Sequence, residues 1–338
     1  MKKIILGLSL LFSLWGIFAS FYFVFFSFED FTKFQNFLIF NGKPYHYSGM
    51  NIFVVIERTS GYSYKSTSIA LLNLFFYLTF LAGSLIYYFS KYKESKLLVF
   101  NYSLIFLNSI IKILAFTAFF DIDKLSFYGI LYIIIVLIYL FISYYIITKN
   151  LNVIEEKVIE NDNQIIENDL ERASNYKRFL NSFIDSFIIL IVAFDFISYS
   201  EMNESLTTFF SYLKTSFGDK FGLIVFFFLI KFTYYLIFES VFKNTPAKFI
   251  TACYVTDEEG NPPSFSIILK RTLLRFVPFE SFSFLMGKNL HDDYSDTYVI
   301  NKKTDLTIEN RYLQFLTIAF GILLVTYFYM SFKEILFP

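Results

Sequence analysis

Charge and cysteine are both scarce in this sequence. Only 17% of its 338 residues are charged and 56% are hydrophobic, whereas soluble globular chains carry about 25% charged residues. Cys253 is the single cysteine, which excludes an intramolecular disulfide and a cysteine-based metal site. A formal net charge of zero provides no overall field for a polyanion, so nucleic acid is excluded as a partner. These properties together indicate an integral membrane protein.

Signatures of catalysis are also missing. The two histidines, His46 and His291, fall in segments that the topology below assigns to opposite sides of the membrane, so they do not form a pair. The sequence shows no nucleophile elbow, no metal-ligand spacing and no glycine-rich phosphate loop. We therefore expect that the protein is not an enzyme and that it has no cofactor and no metal site.

Seven segments are long and apolar enough to cross a membrane as helices. About 20 mostly apolar residues span the roughly 30 Å of hydrocarbon. The first segment follows Lys2 and Lys3 and is longer than the roughly 7 to 15 apolar residues of a cleavable signal, so it is predicted to remain as an anchor. The sequence thus predicts an all-α, multi-pass fold with about seven transmembrane helices, at residues 4–26, 67–90, 97–119, 127–148, 179–199, 221–241 and 312–332.

The distribution of Lys and Arg predicts the orientation of these helices. With Lys2 and Lys3 inside, cytoplasmic segments hold 19 basic residues and outside segments hold 8. Short loops are the most reliable indicators, and the basic loop at 91–96 contrasts with Lys124 alone in the next one. We expect an inner-membrane protein of a bacterial cell with a cytoplasmic N-terminus and an extracytoplasmic C-terminus.

A charged stretch divides the chain into parts. Residues 149–172 carry acidic side chains between apolar residues at helical spacing, which predicts an acidic cytoplasmic helical linker. This linker separates a four-helix unit (1–148) from a second membrane unit (173–303) and a last helix (304–338). An oligomeric coiled coil stays open, although Asn161 and Asn168 occupy its heptad positions. Outside the membrane, Asn41-Gly42 favours a tight turn and predicts an extracytoplasmic hairpin at 37–47.

Several polar side chains fall inside the predicted spans. Asn101, Asn108 and Lys112 lie at i, i+7 and i+11, which places them on one helix face as a polar stripe. Charges at such depth cost a few kcal/mol unless they are paired or hydrated, so we expect Asp185 to pair with Lys231. The alternative is that the lysines reach the interface and the asparagines join helices by hydrogen bonds.

One ordered set of short motifs resembles a known family. Residues 178–185, Arg-Phe-Leu-Asn-Ser-Phe-Ile-Asp, resemble the opening of the RDD family, in which an arginine starts a membrane helix and an aspartate follows seven residues later. Further pieces of the chain follow in the family's order and spacing over residues 173–303. The resemblance maps the family's namesake residues to Arg178, Asp185 and Asp292. Ala247-Lys248 departs from the family's usual Gly-Lys, and Asp293 stands where a basic residue is common.

The resemblance implies a charge cluster at the cytoplasmic face. Arg178 starts a span there, and the loop between the sixth and seventh spans contains His291 and Asp292. We expect Arg178 or Arg271 to pair with Asp292 in a partly desolvated site. Residues 265–279 are predicted to form a helix at, or dipping into, the inner interface with basic side chains facing lipid headgroups, namely Lys270, Arg271 and Arg275. The alternative is that these groups only hold the loop against the membrane.

Two hypotheses for function remain open at this point. The resemblance implies at most transport of an unknown ligand, and Asp185, Lys231 and the polar stripe could line a hydrated path for an ion or small molecule. A non-transporting membrane scaffold or assembly factor, bound to lipid and to a protein partner or a second copy, is the alternative. Solvent access to Asp185 distinguishes the two hypotheses. Transport needs a hydrated path that reaches the carboxylate, whereas a scaffold needs a carboxylate paired inside the protein and closed to water.

Overall fold

A computed structural model describes the backbone of most of the chain. The linker predicted at 149–172 and the hairpin predicted at 37–47 fall largely or wholly outside the described residues. Those residues are 1–25, 67–118, 127–151, 172–200, 204–257, 260–276, 290–301, 314, 316–319, 321–322 and 324–325.

The described part of the chain is mainly helical. A short π-helical turn, Ile147–Leu151, follows the fourth helix. The helices are α1 (Lys2–Phe25), α2 (Thr67–Phe89), α3 (Lys96–Ala118), α4 (Phe127–Ile146), α5 (Asn175–Ser200), α6 (Glu204–Phe217), α7 (Asp219–Phe242), α8 (Pro246–Ile250), α9 (Phe265–Leu274) and α10 (Leu290–Ser295).

The first six predicted spans coincide with helices α1 to α5 and α7. The described residues between 314 and 325, inside the seventh predicted span, are helical as well. Two stretches of the described chain are long and apolar enough to cross a membrane, Lys96–Leu114 and Asp219–Phe242. Helix α6, between the fifth and sixth predicted spans, was not predicted. The count of seven spans stays a prediction.

A small sheet corrects the all-α prediction. Strands β1 (Cys253–Asp257) and β2 (Thr297–Asn301) pair antiparallel, with Val255 opposite Val299. Arg172 forms an isolated bridge to Ile300, and the N–H of Ala173 donates to the carbonyl of Val299 at 2.8 Å. The sequence missed this sheet because each strand has five residues, and its partner lies far along the chain.

The chain divides into two compact units. One comprises residues 1–151, 194–211 and 321–338, and the other comprises 152–193 and 212–320. In the first unit the Ser9 and Tyr102 hydroxyls are 2.8 Å apart, and the ring of Tyr102 packs edge-on against Phe80. A Cβ on Gly16 would lie 2.2 Å from the ring of Tyr77, so glycine permits the close approach of α1 and α2.

In the second unit a tight turn connects α7 to α8. Lys243 has φ of 56°, and this left-handed conformation ends α7. Thr245 then caps α8 by accepting a hydrogen bond from the N–H of Lys248, and Pro246 occupies the first turn, where its missing N–H costs nothing. The turn brings α8 back towards α5, next to β1.

Candidate functional site

Asp185 lies buried in α5 and binds the turn between α7 and α8. Its carboxylate accepts hydrogen bonds from the hydroxyls of Tyr234 and Thr245, both at 2.7 Å. It also accepts one from the backbone N–H of Ala247 at 3.2 Å. The residue is 1% exposed, so protein donors rather than bulk water satisfy the carboxylate.

The expected pairing of Asp185 with Lys231 is wrong. Lys231 donates from Nζ to the backbone carbonyl of Arg275 at 3.4 Å and lies over the ring of Phe276. Tyr234, one turn further along α7, presents its hydroxyl to Asp185 instead. A carboxylate that accepts several neutral donors does not need an ammonium group to remain buried.

The carboxylate of Glu239 contacts three cationic side chains near the C-terminal end of α7. The guanidinium of Arg275 donates to both carboxylate oxygens, at 2.7 and 3.0 Å, and Nζ of Lys248 lies 2.5 Å from Oε1. Nε of Arg271 lies 3.4 Å from Oε2. Arg275 also stacks on the ring of Tyr235, with 3.9 Å between its Cζ and the ring centroid.

Asp292, the second carboxylate of the cluster, contacts Arg178 and Arg271, one through each oxygen. The pairing that the sequence allowed for either arginine is therefore present for both. Arg178 also donates from Nε to the carbonyl of Ala173 at 3.2 Å. Through these contacts Arg178 connects the start of α5 to α10, which contains Asp292, and to Ala173 beside the sheet.

Arg271 connects the two carboxylates. It contacts Glu239 and Asp292, donates to the hydroxyl of Thr297, and is fully buried. Among the described residues its Nη2 has no hydrogen-bond partner. We call Arg178, Glu239, Lys248, Arg271, Arg275 and Asp292 the buried ion cluster.

Two of the three basic residues predicted to face lipid headgroups point inwards instead. Arg271 and Arg275 are 0% and 8% exposed and belong to the buried ion cluster. Lys270 follows the prediction of exposure, since 54% of its side chain is accessible and it lies 3.5 Å from the equally exposed Asp296. The reason is that Glu239 attracts the two arginines, which share the inner face of α9, into the protein.

The environment of the buried ion cluster changes the pKa of Lys248, which lies outside the predicted spans. Burial lowers the pKa of Lys248 to about 8, while the carboxylate of Glu239 opposes that shift. Lys248 therefore titrates closer to neutral pH than an exposed lysine does.

Sequence reasoning did not select Glu239, Tyr234, Thr245 or Lys248 as site residues. A usable signal was present, because Glu239 is an acidic residue within the apolar helix α7, the sixth predicted span, and a charge at that position needs a partner. It was passed over because the predicted span ends two residues later, so the carboxylate could have faced solvent.

The remaining predicted residues divide into two cases. His291 belongs to α10, but its side chain lies outside the described residues, and no group of His, Cys, Asp and Glu in the described chain could hold a metal.

In the first unit Asn101, Asn108 and Lys112 are all buried, and Asn101 accepts a hydrogen bond from Thr79 at 3.0 Å. This contact joins α2 to α3, as the hydrogen-bonding alternative for the stripe predicts.

Comparison with known proteins finds a family match in the second half of the chain. Residues 172–335 match the model of the RDD family, which extends past residue 303, where the sequence resemblance ended, and through the last predicted span. No curated protein matches the chain. No solved structure matches it either.

Proposed function

Residues 172–335 are a domain of the RDD family, and from that premise we propose that this domain is a membrane scaffold that transports nothing through Asp185. In this role it holds the sheet, α8 and α9 rigidly against α5 and α7. A protein partner or a second copy of the chain, together with lipid, would bind the assembled surface. The absence of an enzymatic activity remains part of the proposal.

The proposal includes the membrane topology. The chain crosses the inner membrane of a bacterial cell seven times, with its N-terminus in the cytoplasm and its C-terminus outside. Exposed apolar side chains on α7, among them Phe221, Phe228 and Leu229, support this topology because they suit contact with lipid. A reporter fused after Pro338 should be active only outside the cytoplasm, and one fused after Glu94 only inside. Cytoplasmic activity of the first fusion would contradict the topology.

The scaffold role is supported mainly by the burial of Asp185 among hydrogen-bond donors of the protein. The carboxylate accepts from the hydroxyls of Tyr234 in α7 and Thr245 in the turn after it, and from the backbone N–H of Ala247 in α8. A proton- or ion-carrying carboxylate needs exchange with a hydrated path, whereas these donors occupy Asp185 and position the turn. Both carboxylates of the buried ion cluster are likewise in contact with cations.

Ion flux and folding together test this proposal. Everted membrane vesicles with and without the full chain should show equal proton and sodium flux, measured with a pH-sensitive and a sodium-sensitive dye. Asp185→Asn should lower the thermal stability of the purified chain, because the amide replaces an acceptor for Thr245 or Ala247 with a donor. The matched control Asp296→Asn should not, since Asp296 is exposed.

Chain-dependent flux that Asp185→Asn abolishes while the variant keeps the thermal stability of the parent would overturn the scaffold role. That result would favour ion- or proton-coupled transport through Asp185.

One observation favours the second candidate, binding and transport of an anion. Within the described residues, the buried ion cluster contains four cations, Arg178, Lys248, Arg271 and Arg275, and two carboxylates. Buried excess charge is costly unless a counter-ion compensates it, and Nη2 of Arg271 has a hydrogen-bonding position to offer. Inorganic phosphate should then raise the melting temperature of the purified chain more than chloride at equal ionic strength. Equal melting temperatures would remove this candidate.

A further inference from the structure

The chain between the two strands leaves the sheet and returns to it at the same place. Asp257, the last residue of β1, pairs with Thr297, the first residue of β2. The sheet itself adjoins the C-terminal end of α7, because the N–H of Val255 donates to the carbonyl of Lys243 at 3.3 Å. The chain therefore leaves that end of α7 after Asp257 and is back there at Thr297, and this end is the cytoplasmic one in the proposed topology.

Between these endpoints the chain reaches far along α7. The ring of Phe276, just after α9, packs against Phe228 and Phe232, with centroid distances of 5.2 and 6.1 Å. These two residues precede the end of α7 at Phe242 by 14 and 10 positions, which correspond to roughly 21 and 15 Å along a helix. The hydrocarbon core is about 30 Å thick, so the proposed crossing of α7 would place Phe276 near the middle of the membrane.

The end of α9 therefore brings polar backbone to a depth where water is scarce. The last carbonyls of a helix have no partner within the helix, and in hydrocarbon each one must be satisfied by protein. Lys231, near the middle of α7, donates from Nζ to the carbonyl of Arg275 at 3.4 Å. Its positive charge also complements the negative end of the helix dipole, and its Nζ lies 5.6 Å from the ring centroid of Phe276.

We propose that α9 is the inserted arm of a re-entrant segment, so that the chain leaves the cytoplasmic end of α7 after Asp257, reaches the middle of the membrane at Phe276 and is back at that end of α7 at Thr297. Lys231 is the positioning residue that caps the end of α9. Helix α9 has ten residues, about 15 Å, which is too short to cross the membrane and long enough to reach its middle. The segment defines a membrane-inserted tip between α7 and α9. This inference rests on the crossing of the membrane by α7, which is part of the proposed function.

Measurements of depth by fluorescence test the inference, because the chain has a single tryptophan, Trp15. Trp15→Phe removes that signal in the full-length protein. A tryptophan is then placed by Phe276→Trp at the tip, by Phe228→Trp in the middle of α7, or by Phe265→Trp at the start of α9. Each variant is reconstituted in phosphatidylcholine vesicles whose acyl chains are brominated at a shallow or a deep carbon.

The tip and α7 variants should both be quenched at least twofold more by deep than by shallow bromines, and the Phe265→Trp variant should show the reverse order. Shallow quenching of the tip variant beside deep quenching of the α7 variant would overturn the re-entrant segment and favour an interfacial helix. Shallow quenching of the α7 variant would instead show that α7 does not cross the membrane, so the topology in the proposed function would fail.

The role of Lys231 is tested in the protein that carries the tryptophan at the tip. Lys231→Met should shift the quenching towards shallow bromines, because the carbonyl of Arg275 at the end of α9 loses this donor. Lys231→Gln keeps a donor and should retain deep quenching, as should the control Lys220→Met on the exposed first turn of α7. Unchanged depth in Lys231→Met would remove the capping role, and loss of deep quenching in Lys231→Gln would show that a donor alone is insufficient and overturn the capping argument as stated.

Discussion

Glu239 and Arg275 form a bidentate ion pair inside the protein, with the guanidinium nitrogens 2.7 and 3.0 Å from the two carboxylate oxygens. The pair joins α7 to the end of α9, two elements whose residues are 36 positions apart in the chain. Fork-like pairing of this kind fixes orientation as well as charge. Glu239 also contacts Lys248 and Arg271, so we expect the buried ion cluster to depend on it most.

We predict that Glu239→Gln destabilises the chain more than any other single substitution in the buried ion cluster. Removing this charge leaves Lys248, Arg271 and Arg275 with an uncompensated excess of buried positive charge, which costs roughly 3 to 5 kcal/mol when a buried pair is broken. The yield of monodisperse protein after detergent extraction and its melting temperature measure the effect. The same substitution at exposed Glu94 should leave both unchanged, and a folded Glu239→Gln variant with the parent's melting temperature would contradict the prediction.

A second prediction compares two Asp-paired basic residues in different environments. Arg178→Ala should lower the amount of folded protein in the membrane, because the buried Asp292 loses one of the two arginines that contact it in the described part of the chain. Lys270→Ala should have little effect, since its partner Asp296 is exposed and surface pairs contribute about 0 to 1 kcal/mol. Immunoblots of membrane fractions at equal expression provide the comparison. Equal abundance of the two variants would remove the structural role of Arg178.

A third prediction follows from the partners of Asp185. Asp185→Asn should not be rescued by Lys231→Met, because Lys231 contacts Arg275 and Phe276 rather than Asp185. The effects of the two substitutions on the free energy of unfolding should add within about 0.5 kcal/mol, as expected for sites without shared partners. Asp185→Asn and Thr245→Ala, which do share a hydrogen bond, should be non-additive. Recovery of stability in the Asp185→Asn, Lys231→Met double variant would restore the pairing that the sequence suggested.

The fourth prediction concerns pH. The pKa of Lys248 is lowered to about 8 in the folded protein, so between pH 8 and the ordinary lysine value the unfolded chain binds more protons than the folded one. Stability from this group therefore rises with pH over that window and is lowest below it. The difference in melting temperature between the parent and Lys248→Met should grow in the parent's favour from pH 8 to pH 10. A difference that stays constant over this range would show that Lys248 keeps its ordinary pKa.

The positions of most helices and the family of the second half could be predicted from sequence because the reasons for them are local. An apolar run of about 20 residues must satisfy its own backbone hydrogen bonds in lipid and therefore forms a helix. The seven-residue spacing of Arg178 and Asp185 is local in the same sense. The short strands could not be predicted, because Val255 and Val299 pair across a long intervening segment that the pattern of either strand does not specify.

The sequence by itself determined that this is a largely helical, membrane-type chain with Arg178, Asp185 and Asp292 in the order of the RDD family. Only the tertiary structure decided which charge meets which partner. Arg271 could have faced lipid headgroups and Asp185 could have met Lys231, since both arrangements agree with hydrophobic spacing. The turn after α7 instead delivers Thr245 and Ala247 to Asp185, because a buried ionic group takes the partners that packing brings within hydrogen-bond distance, and packing depends on the whole unit rather than on any one segment.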